Sequence, residues 1–163
     1  MVEIDYNIAL VVLSYLIAVM GSYAGLNLAI RIPRAKPGKD LFTWVLLAAA
    51  AIGGVAIWSM HFIGMEAADM NMPVSYNIGL AVVSMLVAIA FVGIGLAIVG
   101  RGEPSIAKLL LGGVLTGGGV AAMHYTGMAS MSMPGEMSYN MGLAHLVCGD
   151  RNRRFSRSAV AGL

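Results

Sequence analysis

The sequence predicts an all-α membrane protein: four transmembrane helices in two tandem two-helix repeats, plus a short incomplete fifth segment. Three observations carry this expectation. Only 11% of the 163 residues are charged, against roughly 25% in a soluble domain, and mean hydropathy is +0.83. Four apolar stretches without Asp, Glu, Lys or Arg follow one another at Ile8–Ile30, Leu41–Met65, Ile78–Gly100 and Leu109–Met128. Each is close to the ~20 residues that cross a hydrocarbon core. Finally, two motifs recur in register along the chain.

Taken in order, the acidic start Met1–Asp5 has no basic region of the kind that opens a secretory signal, so the first apolar run reads as a retained helix. Asp5 or Asn7 can cap it by accepting from free first-turn amides. Arg31-Ile-Pro-Arg34-Ala-Lys36-Pro-Gly-Lys39 then forms a basic connection. The second stretch ends in Ser59-Met60-His61-Phe62-Ile63-Gly64-Met65 and is followed by an acidic turn, Glu66–Pro73. The third breaks at Arg101-Gly-Glu-Pro104. The fourth is glycine-rich and ends in Ala122-Met123-His124-Tyr125-Thr126-Gly127-Met128.

Charge predicts orientation. Arg31, Arg34, Lys36, Lys39, Arg101 and Lys108 all lie in the loops at 31–40 and 101–108; the start of the chain and the loops after each motif carry no Lys or Arg. The positive-inside rule places the basic loops in the cytoplasm. The expected location is thus the bacterial inner membrane, multi-pass, with the N-terminus and both His motifs toward the outside. Each His stands four residues before the end of its apolar stretch, roughly 6 Å deep at about 1.5 Å per residue.

Tyr6-Asn7-Ile8 returns as Tyr76-Asn77-Ile78 and as Tyr139-Asn140-Met141, and Tyr76 to Tyr139 is the same interval as His61 to His124. The repeat unit is a Tyr-Asn helix, a basic loop, a helix ending in Met-His-aromatic-x-Gly-Met, and an outer loop. Units are expected at about 5–74 and 75–137 within a membrane domain over 1–145, with a partial third unit from 138. Met141–Cys148 would span only about 12 Å as helix, short of the ~30 Å core. The basic tail 146–163 is expected to be disordered.

The motif chemistry follows from ligand softness. Positions i and i+4 share a helix face, pairing His61 with Met65 and His124 with Met128, with Met60 and Met123 about a quarter-turn away. Imidazole and thioether donors suit copper, above all Cu(I), better than calcium or magnesium. The candidate metal ligands are therefore Met60, His61, Met65, Met123, His124 and Met128. Met70, Met72, Met131 and Met133, in the two outer loops, could form an entry or second site. The alternative is that Met fills gaps and His packs; ionisable groups inside membranes tend to mark function, however. His145 is off the repeat pattern, and His145 with Cys148 is not taken as a metal pair. One cysteine excludes an internal disulfide.

Gly21-x-x-x-Gly25 and Gly113-x-x-x-Gly117 put small residues on one face, which permits close helix approach. Trp58, Tyr76 and Tyr125 fall where an aromatic belt is expected. No nucleophile with base and orienter is visible, so the chain is not expected to be an enzyme, and it has no nucleic-acid signature.

Met123-His124-Tyr125-Thr126, together with Ile57-Trp58-Ser-Met60-His61-Phe62-Ile63-Gly64-Met65, resembles the MHYT family of bacterial integral-membrane sensor domains over roughly residues 5–145. The resemblance implies three two-helix units with Met and His near the outer face. It also implies copper binding and sensing of a diatomic gas (O2, CO or NO). Cytoplasmic diguanylate cyclase or phosphodiesterase domains often follow in the family. Here the third motif is missing, so a cyclic-di-GMP enzyme would be a partner supplied in trans, alongside the lipid bilayer. Two other readings stay open: a haem-binding bundle with His61 and His124 as axial ligands, and a small transport or structural membrane protein without a cofactor.

Overall fold

The computed structural model describes residues 5–69, 74–103 and 105–132. The expected third unit from 138, the tail 146–163, His145, Cys148, Met70, Met72 and Met133 lie outside the described residues. Within them the chain runs β1 (Asp5–Tyr6), α1 (Ile8–Ala29), a 3-10 turn (Ile32–Arg34), α2 (Lys39–Ala49), a π-helical segment (Ala50–Ser59), α3 (Met60–Glu66), β2 (Ala68–Asp69), β3 (Ser75–Tyr76), α4 (Ile78–Val99), α5 (Ile106–Ser130) and β4 (Met131–Ser132). α2, the π segment and α3 form one continuous span, Lys39–Glu66. With α1, α4 and α5 it gives four helices long and apolar enough to cross a membrane. The four-helix expectation is met, with ends within a few residues of those read from hydropathy.

The Tyr-Asn signature has a double structural role. Asn7 accepts at Oδ1 from the Ala9 and Leu10 amides at 3.1 and 3.4 Å, and Asn77 accepts from Leu80 at 3.1 Å. Asn7, not Asp5, is thus the cap of α1. The same two residues donate their own backbone N–H to the far end of the hairpin: Asn7 to Ala67 O at 2.8 Å and Asn77 to Ser130 O at 2.7 Å. The tyrosines lie in two-residue antiparallel ribbons, Asp5↔Asp69 with Tyr6↔Ala68, and Ser75↔Ser132 with Tyr76↔Met131. Each helix pair is therefore clasped at the end that carries its His motif.

The opposite end is built from the basic connections. The Asp40 carboxylate accepts from Lys36 N at 2.9 Å and from Trp44 Nε1 at 3.1 Å. Arg31 lies over the Trp44 ring, 4.7 Å from its centre, a cation–π contact. Lys108 donates to Arg101 O at 2.7 Å and Glu103 O at 3.0 Å, placing a cation on carbonyls just past α4, where the helix dipole favours it.

Packing is inverted relative to a soluble bundle. Most buried helix positions are small, among them Ser14, Gly21, Gly25, Ala48, Ala49, Gly53, Ala56, Ser84, Ala88, Gly95, Gly112 and Gly119, with Leu41, Val92 and Met123 the larger exceptions. Exposed Leu, Ile and Val residues line each of the four spans, as expected where lipid is the solvent. α1 packs on the second span, the second span on α4, and α5 chiefly on α4. The two hairpins use the same contact with its partners exchanged. Gly21 lies against Ala56, whose N is 2.7 Å from where a Gly21 Cβ would stand; at the equivalent place in the second pair, Gly119 lies against Phe91.

Gly21 and Gly25 thus pack as expected. Gly113 and Gly117 do not: a Cβ on either would meet nothing within 4 Å, and Gly112 and Gly119 make the close approaches instead. A run so rich in glycine does not reveal which glycines face inward. Trp58 is also more than a belt residue. Its Nε1 donates to Ser84 Oγ at 2.9 Å and to Ala81 O at 3.2 Å, tying the second span to α4.

The two hairpins differ at the π segment. Ala50–Ser59 is π-helical, with Ser59 Oγ donating to Gly54 O five residues back at 3.2 Å. α5 is α-helical through the equivalent region. π-turns are rare and frequently sit at functional sites; this one leads directly into the first His motif.

Gly21→Val is expected to destabilise the bundle by about 1–3 kcal/mol, the usual cost of overpacking, because the added methyls meet the Ala56 backbone. Gly113→Val should leave stability nearly unchanged. Thermal unfolding of the two variants in detergent checks the contrast.

Candidate metal centre

The His motifs come from different hairpins yet converge. α3 presents His61 and α5 presents His124, with ring centres 4.8 Å apart at 61°. Each ring meets the aromatic that follows it edge-on, His61 with Phe62 at 5.6 Å and His124 with Tyr125 at 5.4 Å. Convergence follows from the clasps. Each ribbon anchors its second helix a few residues beyond the motif, so both histidines are held at one level of the bundle.

The two positions are not equivalent. His61 is half-buried, while His124 is exposed. His61 Nε2 is a buried polar atom with no hydrogen-bond partner among the described residues, a costly state that native structures rarely leave unexplained. Beside the pair lies a cavity of about 380 Å³ lined by Ile57, Met60, His61, Gly117, Val120, Ala121, Met123, His124 and Tyr125.

Four of the six sequence-predicted ligands, Met60, His61, Met123 and His124, therefore line one space. Met123 is 2% exposed and Met60 38%. Met65 and Met128 are half-buried and are not in this lining; each stands one helical turn nearer the clasp. Met131, from the outer-loop pair, is buried in β4 opposite Tyr76. Among the described residues no three His, Cys, Asp or Glu side chains converge on a metal position, so an ion here would need thioether sulfur beside the imidazoles.

The residues fit such an ion. Two imidazoles side by side on one metal, with bonds of about 2 Å, place their ring centres about 5 Å apart, close to the 4.8 Å observed. The orphaned Nε2 supplies a free donor, and Met60 and Met123 supply soft ones. The sequence pattern does not single out Ile57, Val120 and Ala121 as walls of a cavity, nor Gly127 as the neighbour of the His61 ring. The glycine of the motif is visible in both copies, but spacing alone says nothing of what it touches.

An aromatic lip flanks the site where the first hairpin meets the start of the second. Trp58 and Phe62 are 4.6 Å apart and Phe62 and Tyr76 6.0 Å. Burial pushes the Tyr76 phenol above its ordinary 10.0, and the Glu66 carboxylate, hydrogen-bonded to it, adds to the shift.

The comparisons with known proteins agree with the architecture. The MHYT family, described as "Bacterial signalling protein N terminal repeat", matches residues 1–37, 54–112 and 117–148. The chain belongs to the MHYT family. It is 39% identical over 146 residues to the bifunctional diguanylate cyclase/cyclic di-GMP phosphodiesterase MucR of Pseudomonas aeruginosa, covering 88% of this chain and 21% of that protein. It is 34% identical to the signaling protein YkoW of Bacillus subtilis, covering 80% of this chain and 16% of that protein. It is 31% identical to the cyclic di-GMP phosphodiesterase NbdA of P. aeruginosa, with 77% and 16% covered. The chain thus spans about a fifth or less of the length of the curated relatives it matches. No solved structure matches it. The chain is a multi-pass membrane domain of a signalling family.

A phenol whose native pKa is raised contributes stability fully below its unfolded value, and that contribution is lost as pH rises through the native pKa. Tyr76 is therefore expected to ionise above pH 10, with its stabilising effect fading there. Glu66→Gln should lower the pKa without restoring the ordinary value, because burial is the larger cause. Phenolate absorbance of each protein minus that of its Tyr76→Phe counterpart measures both.

Proposed function

We propose that this domain is a membrane sensory module that holds copper between its two hairpins and responds to a diatomic gas such as O2, CO or NO. The observation that carries the reading is the His61–His124 pair, 4.8 Å apart, with an unpartnered buried Nε2 and two thioethers on the same cavity. His61 and His124 would bind the ion, with Met60 and Met123 completing a soft set that favours Cu(I). Met65 and Met128, one turn outward, would serve the ion's passage or a second coordination position. Copper would supply a centre able to take up a small π-accepting gas, and the apolar cavity beside it gives such a molecule room.

The spacing favours this over haem. Two axial imidazoles on one iron, with bonds of about 2 Å, have ring centres more than about 6 Å apart and a porphyrin between them. At 4.8 Å the rings leave no such gap.

In this reading the His end faces outward and the basic connections face the cytoplasm of a bacterial inner membrane. The state of the site would be read by a cyclic-di-GMP enzyme. That assignment is supported by the diguanylate cyclase and phosphodiesterase named in MucR and NbdA, whose activities belong to those whole proteins.

Copper(I) reconstitution of detergent-purified protein, followed by metal analysis, is expected to give one ion per chain. The double variant His61→Ala/His124→Ala should give none. Equal copper in both proteins, or none in the wild type, would refute the assignment.

A further inference from the structure

The motif glycines have no role in the metal reading, yet they stand three residues after each His, at Gly64 and Gly127. The structure treats them differently. A Cβ on Gly64 would meet nothing within 4 Å. A Cβ on Gly127 would lie 3.2 Å from His61 Nε2, 3.4 Å from His61 Cδ2 and 3.4 Å from Phe62 Cε2. Gly127 is buried. The turn of α5 that presents His124 therefore also forms the wall against which the His61 ring rests.

We propose that Gly127 is the positioning residue of the centre, and that it divides the site into a seated half, His61, and an accessible half, His124. This rests on the reading of the two histidines as metal ligands. Backbone conformation does not explain the glycine: Gly127 lies inside α5 and is not among the positive-φ glycines, and Ala is the better helix former there. Packing does. The methyl of a Gly127→Ala variant would require the ring to give by a few tenths of an ångström, and the nearest atom is Nε2, the donor without a partner. His124, on the same turn of α5, lies 4.8 Å from the His61 ring centre to centre, so a displacement of the ring changes the spacing of the pair itself. The equivalent change at Gly64 enters open space and provides a matched control within the same motif.

The test uses the full chain in detergent and reads Cu(I) affinity by chelator competition. It also reads, in metal-free protein, the carbethoxylation rate of each histidine by peptide mass. In the wild type His61 should react more slowly than His124. Gly127→Ala should weaken Cu(I) binding by about tenfold, the low end of what loss of a ligand's supporting contact costs. It should also raise the His61 rate severalfold, with the thermal midpoint retained. Gly64→Ala should change neither.

Equal wild-type rates at His61 and His124 would overturn the proposal, a result that needs no variant to fold. So would a Gly127→Ala protein with wild-type affinity and a wild-type His61 rate, or a Gly64→Ala protein that reproduces the Gly127→Ala changes. If the wild type takes up no copper, the metal reading falls, and the carbethoxylation rates alone decide whether Gly127 seats His61.

Discussion

Close approach of helices through small residues is the constraint on which the rest of this structure depends. In a bilayer, large apolar side chains gain nothing by turning inward, because lipid is as apolar as they are. Association then rests on van der Waals contact between backbones, and that requires Gly, Ala or Ser at the crossing points. Gly21 on Ala56, Gly53 on Ala88 and Gly95 on Gly112 are those points, and Gly119 makes room for the Phe91 side chain. They set the distance between the spans, and hence the distance between side chains that the spans carry.

Close packing leaves the helices free to slide along one another, and the polar ends remove that freedom. Asn7 and Asn77 each cap one helix with the side chain and reach the end of the next with the backbone. The ribbons they start fix the register of each hairpin. Trp58 to Ser84 then ties one hairpin to the other inside the membrane, where a hydroxyl such as that of Ser84, 0% exposed, needs a partner. Two registered hairpins joined in this way bring His61 and His124 to one level.

The internal repeat does not make the two halves identical. The second span is π-helical before His61, and α5 is not before His124. His61 rests on Gly127, while Gly64 faces open space. α5 leans chiefly on α4, whereas the second span packs extensively on both α1 and α4. Duplication accounts for the shared chemistry of the motifs, and the order of packing accounts for their different environments: the second span lies between α1 and α4, whereas α5 lies at the edge of the described bundle.

The sequence by itself determined what depends on composition and local spacing. Membrane character, four spans and their ends follow from hydropathy. A side-chain cap at the start of the first helix follows from Asp5 and Asn7, though not which of the two supplies it, and a shared Met-His chemistry follows from the matching of residues 59–65 with 122–128. Only tertiary structure decided which of the repeated residues meet. Met60 and Met123 line the cavity and Met65 and Met128 do not; Gly112 and Gly119 pack and Gly113 and Gly117 do not; Trp58 bonds across helices where hydropathy suggests only an interfacial ring. The reason is rotational. A helix apolar on every side carries no periodic signal for which face turns inward, and a π segment further shifts the phase. The direction of each side chain is set by contacts between helices, which no local pattern along the chain encodes.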